Sequence, residues 1–247
     1  MGPVTQAVVL VGGEGTRLRP LTNDTPKPVL PLAGRPILSY VLDWLSEQGV
    51  EQAVLACGYR SELVRAALGR GGDGQPELVY VEEPEARGTA GAIKYAQDRL
   101  EDRFLALNGD VLMDLDLRSL IQAHERHSAR ATIALCPVDD PSEYGLVRRA
   151  DDGEILGFVE KPEPGEIDTD EVNAGAYVLE RSIFDEVPAD REVSIERDVF
   201  PSLVGHGLYG VRLEGYWLDI GTLERYRQAE KDILAGRFNP RERESAR

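Results

Sequence analysis

The sequence predicts an α/β fold: a mixed, mainly parallel sheet with helices on both faces. Three observations lead there. Short β-branched apolar runs alternate with amphipathic helical stretches from residue 6 to about residue 128, the signature of parallel strands wound by helices. After residue 131 strands follow one another, and two of them meet at an Asp152-Gly153 hairpin turn, which adds antiparallel pairing. The chain has 247 residues, 42% of them hydrophobic, enough for one such core.

Residues 6–11 (QAVVLV) are too short and too β-branched for a helix and read as a buried strand. A proline-rich loop follows. Pro36 then stands at the first turn of a helix whose Ile37, Leu38, Val41, Leu42 and Leu45 share one face, and Gly49 ends it. Residues 52–57 form a strand, 61–68 a helix, 78–81 a strand and 89–100 a helix. FLAL at 104–107 is a strand ending in Asn108-Gly109-Asp110, and a helix runs from there to about Ser128. ATIALCPV, GLVRR, EILGFVEK and AGAYVLE are strands. Ser194 caps a helix to about Val204 that Pro201 interrupts. LYGVRLEGYWLDI is extended, and Thr222 opens a closing helix to about Ala235. Residues 1–237 are read as one domain and 238–247 as a charged, frayed tail.

The net charge is −16, the opposite of a nucleic-acid groove, so any phosphate must be held by a local positive site in a negative molecule. No run of about 18 apolar residues is present to span a membrane. The N-terminus lacks the basic region of a signal peptide, which points to the cytoplasm. Cys57 and Cys136 read as buried free thiols. His124 and His127 have a chelating spacing without further ligands, and an exposed helix surface is expected for them.

The chemistry begins at VVLVGGEGTRLR, residues 8–19. Backbone amides bared by Gly12, Gly13 and Gly15, with Arg17, Arg19 and Lys27 close behind, form a polyanion cradle. A dinucleotide fingerprint would need a third glycine where Leu18 stands, and a P-loop would need a lysine directly after Gly15. A structural turn explains the glycines but not the cations. Asn108-Gly109-Asp110 reads either as a polar turn or as an acid at the carboxyl end of a strand, where ligands bind. Strand alternation allows Asp219, in GYWLDIGT, to be merely exposed.

The stretch GGEGTRLRPLTNDTPKPVLPLAGRPIL resembles the sugar-1-phosphate nucleotidyltransferases, and the resemblance runs to about residue 235. It implies the Rossmann-like sheet of the nucleotide-diphospho-sugar transferase type. It also implies a Mg²⁺-dependent reaction of an NTP with a sugar 1-phosphate to give an NDP-sugar and pyrophosphate. On it, Gly12, Gly13, Gly15 and Thr16 pass close to the nucleotide, Arg17 grips the triphosphate and Lys27 contacts the reacting phosphates. Asp110, beside Asn108 and Gly109 at the nucleotide, pairs with Asp219 to hold Mg²⁺. Lys161 binds the sugar phosphate, while Glu160, Asn173 and Gly145 line the sugar pocket.

Glu82-Glu83-Pro84…Gly88-Thr89-Ala90-Gly91 is similar to the E-P-L-G-T-A-G segment of guanylyltransferases, although Ala86-Arg87 stands where proline-leucine is usual. Glu82 or Glu83 would then accept from the N–H edge of guanine, with Gly88 close to the nucleotide. GTP and mannose 1-phosphate are the preferred pair. Glucose 1-phosphate with dTTP or UTP is the alternative, and a non-catalytic NDP-sugar-binding subunit is a further one. No nucleic-acid or membrane partner is expected, and a homo-oligomer is left open.

Overall fold

The computed structural model describes residues 3–72, 74–159, 163, 165–188 and 191–238. In chain order its elements are β1 (Gln6–Leu10), β2 (Pro31–Leu32), β3 (Arg35–Pro36), α1 (Ile37–Glu47), β4 (Gln52–Cys57), α2 (Ser61–Leu68), β5 (Glu77–Glu82), α3 (Gly88–Tyr95) and β6 (Arg103–Asn108). There follow β7 (Val111–Met113), α4 (Leu117–His127), β8 (Ala131–Pro137), β9 (Leu146–Arg149), β10 (Ile155–Val159), β11 (Glu171–Glu180), β12 (Leu208–Arg212), β13 (Trp217–Asp219) and α5 (Leu223–Leu234). The mixed sheet with helices that the sequence predicts is present. The described residues among 1–86, 108–114 and 216–247 form one compact unit, and those among 87–107 and 115–215 form another.

In the first unit β1, β4 and β5 lie side by side and parallel, with Val8 opposite Val54 and Val54 opposite Val79. Their apolar runs are buried along nearly their whole length in β1 and β4, as a strand covered on both faces requires. Helix α1 buries the predicted stripe of Ile37, Leu38, Val41, Leu42 and Leu45 and adds Trp44. Each such side chain contributes about 1.5–3 kcal/mol. Gly49 ends the helix with φ +87°. β7 and β13 make a short antiparallel ribbon in which Asp219 lies opposite Val111. The sequence reading starts a helix directly after Asp110, because three residues carry too little periodicity to register as a strand. Thr222 caps α5, its Oγ1 accepting from the Arg225 amide at 3.2 Å. Phe238 is buried, its ring 4.9 Å from Tyr216 and 6.3 Å from Tyr40. Residues 239–247, with the charged tail, lie outside the described residues.

In the second unit β11 pairs antiparallel with β6, β8 and β9. β10 folds back on β9 through the predicted hairpin, the Ala150 amide donating to the Glu154 carbonyl at 2.8 Å. β12 runs parallel to β8. The ladder between β11 and β8 is broken between Asn173 and Tyr177. Ser194 does cap the next segment, its Oγ accepting from the Arg197 amide at 3.2 Å. What it caps is a π-helical turn, Ile195–Val199, followed by a 3-10 turn, Phe200–Leu203. The interruption expected at Pro201 is present, since that residue has no N–H to continue the ladder, but neither piece is a regular α-helix.

The histidines correct the sequence reading. His124 is wholly buried, with Nδ1 2.9 Å from Thr132 Oγ1 and Nε2 3.2 Å from Glu180 Oε1, so it is a satisfied core residue. His127 is half-buried and stacks on Tyr209 at 4.2 Å. The polar character of histidine hides this, because partners for the ring come from other strands. Cys57 and Cys136 are buried free thiols, as expected, and burial pushes each up to about 12. Among the described residues no helix is long and apolar enough to cross a membrane.

Candidate active site

The glycine loop leaves β1 inside the first unit. Gly13 has φ +141° and Gly15 φ +61°, regions that side chains rarely enter. Gly15 is also crowded: a Cβ there would lie 3.0 Å from Thr22 Cγ2 and 3.2 Å from Lys27 Cβ. The Thr22 hydroxyl donates to the Gly15 carbonyl at 2.8 Å, folding the loop back onto Lys27. Thr16 and Arg17 follow in a 3-10 turn, both exposed, while Leu18 anchors the turn in the core.

Asn108-Gly109-Asp110 presses against the end of β1. The Gly109 amide donates to the Leu10 carbonyl at 3.0 Å, and a Cβ on Gly109 would lie 2.8 Å from that same oxygen. Only glycine allows this approach, which carries Asp110 up to the glycine loop. Lys27, itself buried, donates from Nζ to Asp110 Oδ2 at 2.6 Å. The polar-turn reading of this segment is thereby incomplete, because its acid is paired with a cation of the glycine loop.

The β7–β13 ribbon supplies the second acid. The Ile220 amide donates to the Asp110 carbonyl at 3.0 Å, which sets Asp219 beside Asp110. Asp219 is not left on an exposed face, since its side chain is only 21% accessible. Its Oδ2 is 3.1 Å from Arg225 Nη1. A Cβ on Gly221 would lie 2.8 Å from that Oδ2 and 3.3 Å from both terminal nitrogens of Arg17, so these groups surround one glycine. Burial raises the Asp219 carboxyl above its ordinary range, and the Asp110 charge raises it further, while Lys27, Arg225 and Arg17 pull it down. Arg17, Lys27, Asp110 and Asp219 thus form one cluster.

Two hard carboxylates that repel each other suit a divalent cation that favours oxygen ligands and fills its shell with water and phosphate. Asp110 and Asp219 therefore fit Mg²⁺, as a pair: no group of three or more acid, histidine or cysteine ligands occurs among the described residues.

The structure also separates Glu82 from Glu83. Glu82 turns to Arg65, Oε1 to Nη2 3.2 Å, in the open. Glu83 faces the glycine loop, with its Oε1 3.8 Å from where a Gly12 Cβ would stand. Period-2 alternation implies that only one of the two could do so.

The second unit holds the remaining predicted residues. Gly88, φ +71°, packs on Val193, whose carbonyl oxygen would be 2.5 Å from a Cβ. Gly145 precedes β9 and Asn173 lies in β11, so the two flank the Val172–Leu146 pair. Asn173 Nδ2 donates to the Tyr177 hydroxyl at 3.0 Å, and its Oδ1 accepts from the Gly175 amide at 2.9 Å. Glu160 and Lys161 lie outside the described residues. The sequence reading missed Thr22, Gly221 and Arg225. Only the LDIGT glycine, two residues after Asp219, was a visible signal.

Comparisons with known proteins show the family. The family model described as Nucleotidyl transferase matches residues 6–236. A mannose-1-phosphate guanylyltransferase of Mycobacterium tuberculosis is 40% identical over 234 residues, 93% of this chain and 65% of that protein. A UTP–glucose-1-phosphate uridylyltransferase of Synechocystis is 33% identical over 246 residues, 93% of this chain and 63% of its own length. The chain thus spans just under two thirds of the length of either relative. HddC from Yersinia pseudotuberculosis has a similar structure, with TM-score 0.81 and 31% identity over 93% of this chain and 100% of that one. A second structure of HddC, complexed with GMP-PN, matches equally well in TM-score.

Proposed function

The chain belongs to the Nucleotidyl transferase family, and from that premise we propose that it joins an NTP to a sugar 1-phosphate, releasing pyrophosphate and forming an NDP-sugar. GTP and mannose 1-phosphate are the proposed pair. The observation that carries the reading is the cluster of Arg17, Lys27, Asp110 and Asp219 beside the glycine loop.

A sugar phosphate is already an anionic nucleophile at neutral pH. Its oxygen attacks the α-phosphorus, the bond from that phosphorus to the β-bridging oxygen breaks, and pyrophosphate carries the electron pair away. No side chain has to remove a proton. The chain's task is to align two anions and neutralise charge. Arg17, exposed at the loop, is assigned to the triphosphate, and Lys27, paired with Asp110, to the reacting α-phosphate. Gly12, Gly13, Gly15 and Thr16 supply the backbone cradle. Mg²⁺, held by Asp110 and Asp219, would neutralise phosphate charge and polarise the phosphorus when bound. Lys161 and Glu160 are assigned to the sugar phosphate and sugar hydroxyls, with Asn173 and Gly145.

For the base, Glu83 rather than Glu82 is the proposed acceptor for guanine, because it faces Gly12. The Mycobacterium tuberculosis relative and the HddC complex with GMP-PN support a guanine nucleotide. The Synechocystis relative supports the second reading, glucose 1-phosphate with UTP. A non-catalytic subunit is disfavoured by the intact cluster. A cytoplasmic setting belongs to this proposal.

The test is pyrophosphate release by the purified chain with Mg²⁺ over a panel of GTP, UTP and dTTP against mannose and glucose 1-phosphates. Fastest turnover of GTP with mannose 1-phosphate supports the reading. Tight NDP-sugar binding without pyrophosphate from any pair would sink it. Glu83→Gln should shift the preference away from GTP, and Glu82→Gln should not.

A further inference from the structure

Asn173 is held by a chain of hydrogen bonds that ends on a carboxylate with no role in the reading above. We infer that Glu196 is a positioning residue for sugar recognition, acting on Asn173 through the Tyr177 hydroxyl. This rests on the proposed reading of Asn173 as a sugar-facing side chain.

Tyr177 is wholly buried, and its ring meets Phe200 edge-on at 5.0 Å. A buried phenol needs a partner for its one proton. Here it donates to Glu196 Oε1 at 3.4 Å. That fixes the direction of the O–H and leaves a lone pair for Asn173 Nδ2 at 3.0 Å. The Gly175 amide takes one lone pair of Asn173 Oδ1 from the other side. The amide is thus locked in one orientation, with a second N–H and a second Oδ1 lone pair left for a ligand. Sugar hydroxyls both donate and accept, so an amide free to flip would present the wrong pattern half the time.

Glu196 is itself held firmly. Its Oε2 accepts from Thr89 Oγ1 at 3.0 Å and from Ser194 Oγ at 2.9 Å. Thr89 Oγ1 in turn accepts from the Ile195 amide at 2.7 Å. The residue sits in the π-helical turn Ile195–Val199, an irregular geometry that recurs at functional sites. The neighbouring segment 88–91 does not depend on this side chain. It is tied to Val193 by backbone bonds, Ala90 N to Val193 O at 2.9 Å and Val193 N to Arg87 O at 2.8 Å. Loss of the Glu196 charge should therefore fall on the sugar side and spare the nucleotide.

Tyr177→Phe keeps the ring and removes the relay. Glu196→Gln keeps the size, but an amide cannot accept from the Tyr177 and the Thr89–Ser194 hydroxyls at once. Each full-length variant should raise the KM for sugar 1-phosphate about tenfold, the worth of one oriented hydrogen bond. The KM for the nucleotide should stay within about twofold, with Tm within a few degrees. The double variant should be no worse than the stronger single, because both cut one chain. Asn173→Ala is the control and should raise the same KM at least as much. If Asn173→Ala does so while the other two do not, the relay is wrong and the reading of Asn173 stands. If Asn173→Ala also leaves the KM unchanged, both fall. Equal rises in both KM values with a lowered Tm would mark a purely structural network and overturn the inference.

Discussion

A Cβ on Gly221 would stand 2.8 Å from Asp219 Oδ2 and 3.3 Å from the Arg17 guanidinium, closer than a methyl group and two charged groups allow. Gly221→Ala should swing the carboxylate aside, lowering kcat/KM about 10- to 100-fold, or about 1.4–2.7 kcal/mol. The Mg²⁺ concentration for half-maximal rate should rise while Tm moves by only a few degrees. Wild-type kinetics from this variant would show that Asp219 has no part in the site. The Lys27–Asp110 pair gives an asymmetric expectation. The lysine side chain is 10% accessible and the aspartate 40%. Lys27→Met frees an acid that water can reach, whereas Asp110→Asn leaves a buried ammonium facing a neutral amide. The second change should cost about 1–3 kcal/mol of stability, less than a fully enclosed pair would lose, and the first about 1 kcal/mol or less. Urea unfolding compares them, and the reverse order would refute the argument.

Helix α4 carries a device that its own sequence conceals. His124 is enclosed by Thr132 and Glu180, and Glu180 Oε1 also takes Arg103 Nε at 2.6 Å, with Glu125 3.3 Å from that arginine. Burial lowers the imidazole below its ordinary 6.5 and Arg103 adds to this, while the hydrogen bond and charge of Glu180 and the charge of Glu125 oppose them. The unfolded chain thus takes up a proton near 6.5 while the folded chain still resists it. Stability falls as pH drops below 6.5 towards the folded value and is unaffected by this group above. His124→Gln should remove that slope, so the stability gap between wild type and variant should narrow from pH 7.5 to pH 5.5. The ceiling is about 1.4 kcal/mol per pH unit. A gap that does not change with pH would show that the imidazole is not held neutral. The same helix shows where sequence legibility ends. The α1 stripe was legible because apolar spacing is local. His124 was not, because its partners lie on β8 and β11. β7 was missed for the same reason, since three residues become a strand only when β13 pairs with them.

At the scale of the whole chain, what could be read and what could not divide along the same line. The glycine loop and its cations are contiguous in sequence, and so were legible. The meeting of Asp110 with Asp219 was available only through resemblance, because residues 110 and 219 are joined by a ribbon that no local pattern announces. The charge of −16 was also legible, and it bears on kinetics. A triphosphate approaching this molecule meets repulsion before it reaches Arg17 and Lys27. Salt shortens the range of that repulsion from roughly 30 Å at 0.01 M to about 8 Å at 0.15 M, while close contacts at the loop are screened far less. Association of a fluorescent GTP analogue, followed by stopped flow, should therefore quicken about two- to threefold between 10 and 150 mM salt. A basic groove predicts the opposite sign. Slowing with salt would mean that the cationic cluster governs the field well beyond the loop, and that the acidic surface is no barrier to the substrate.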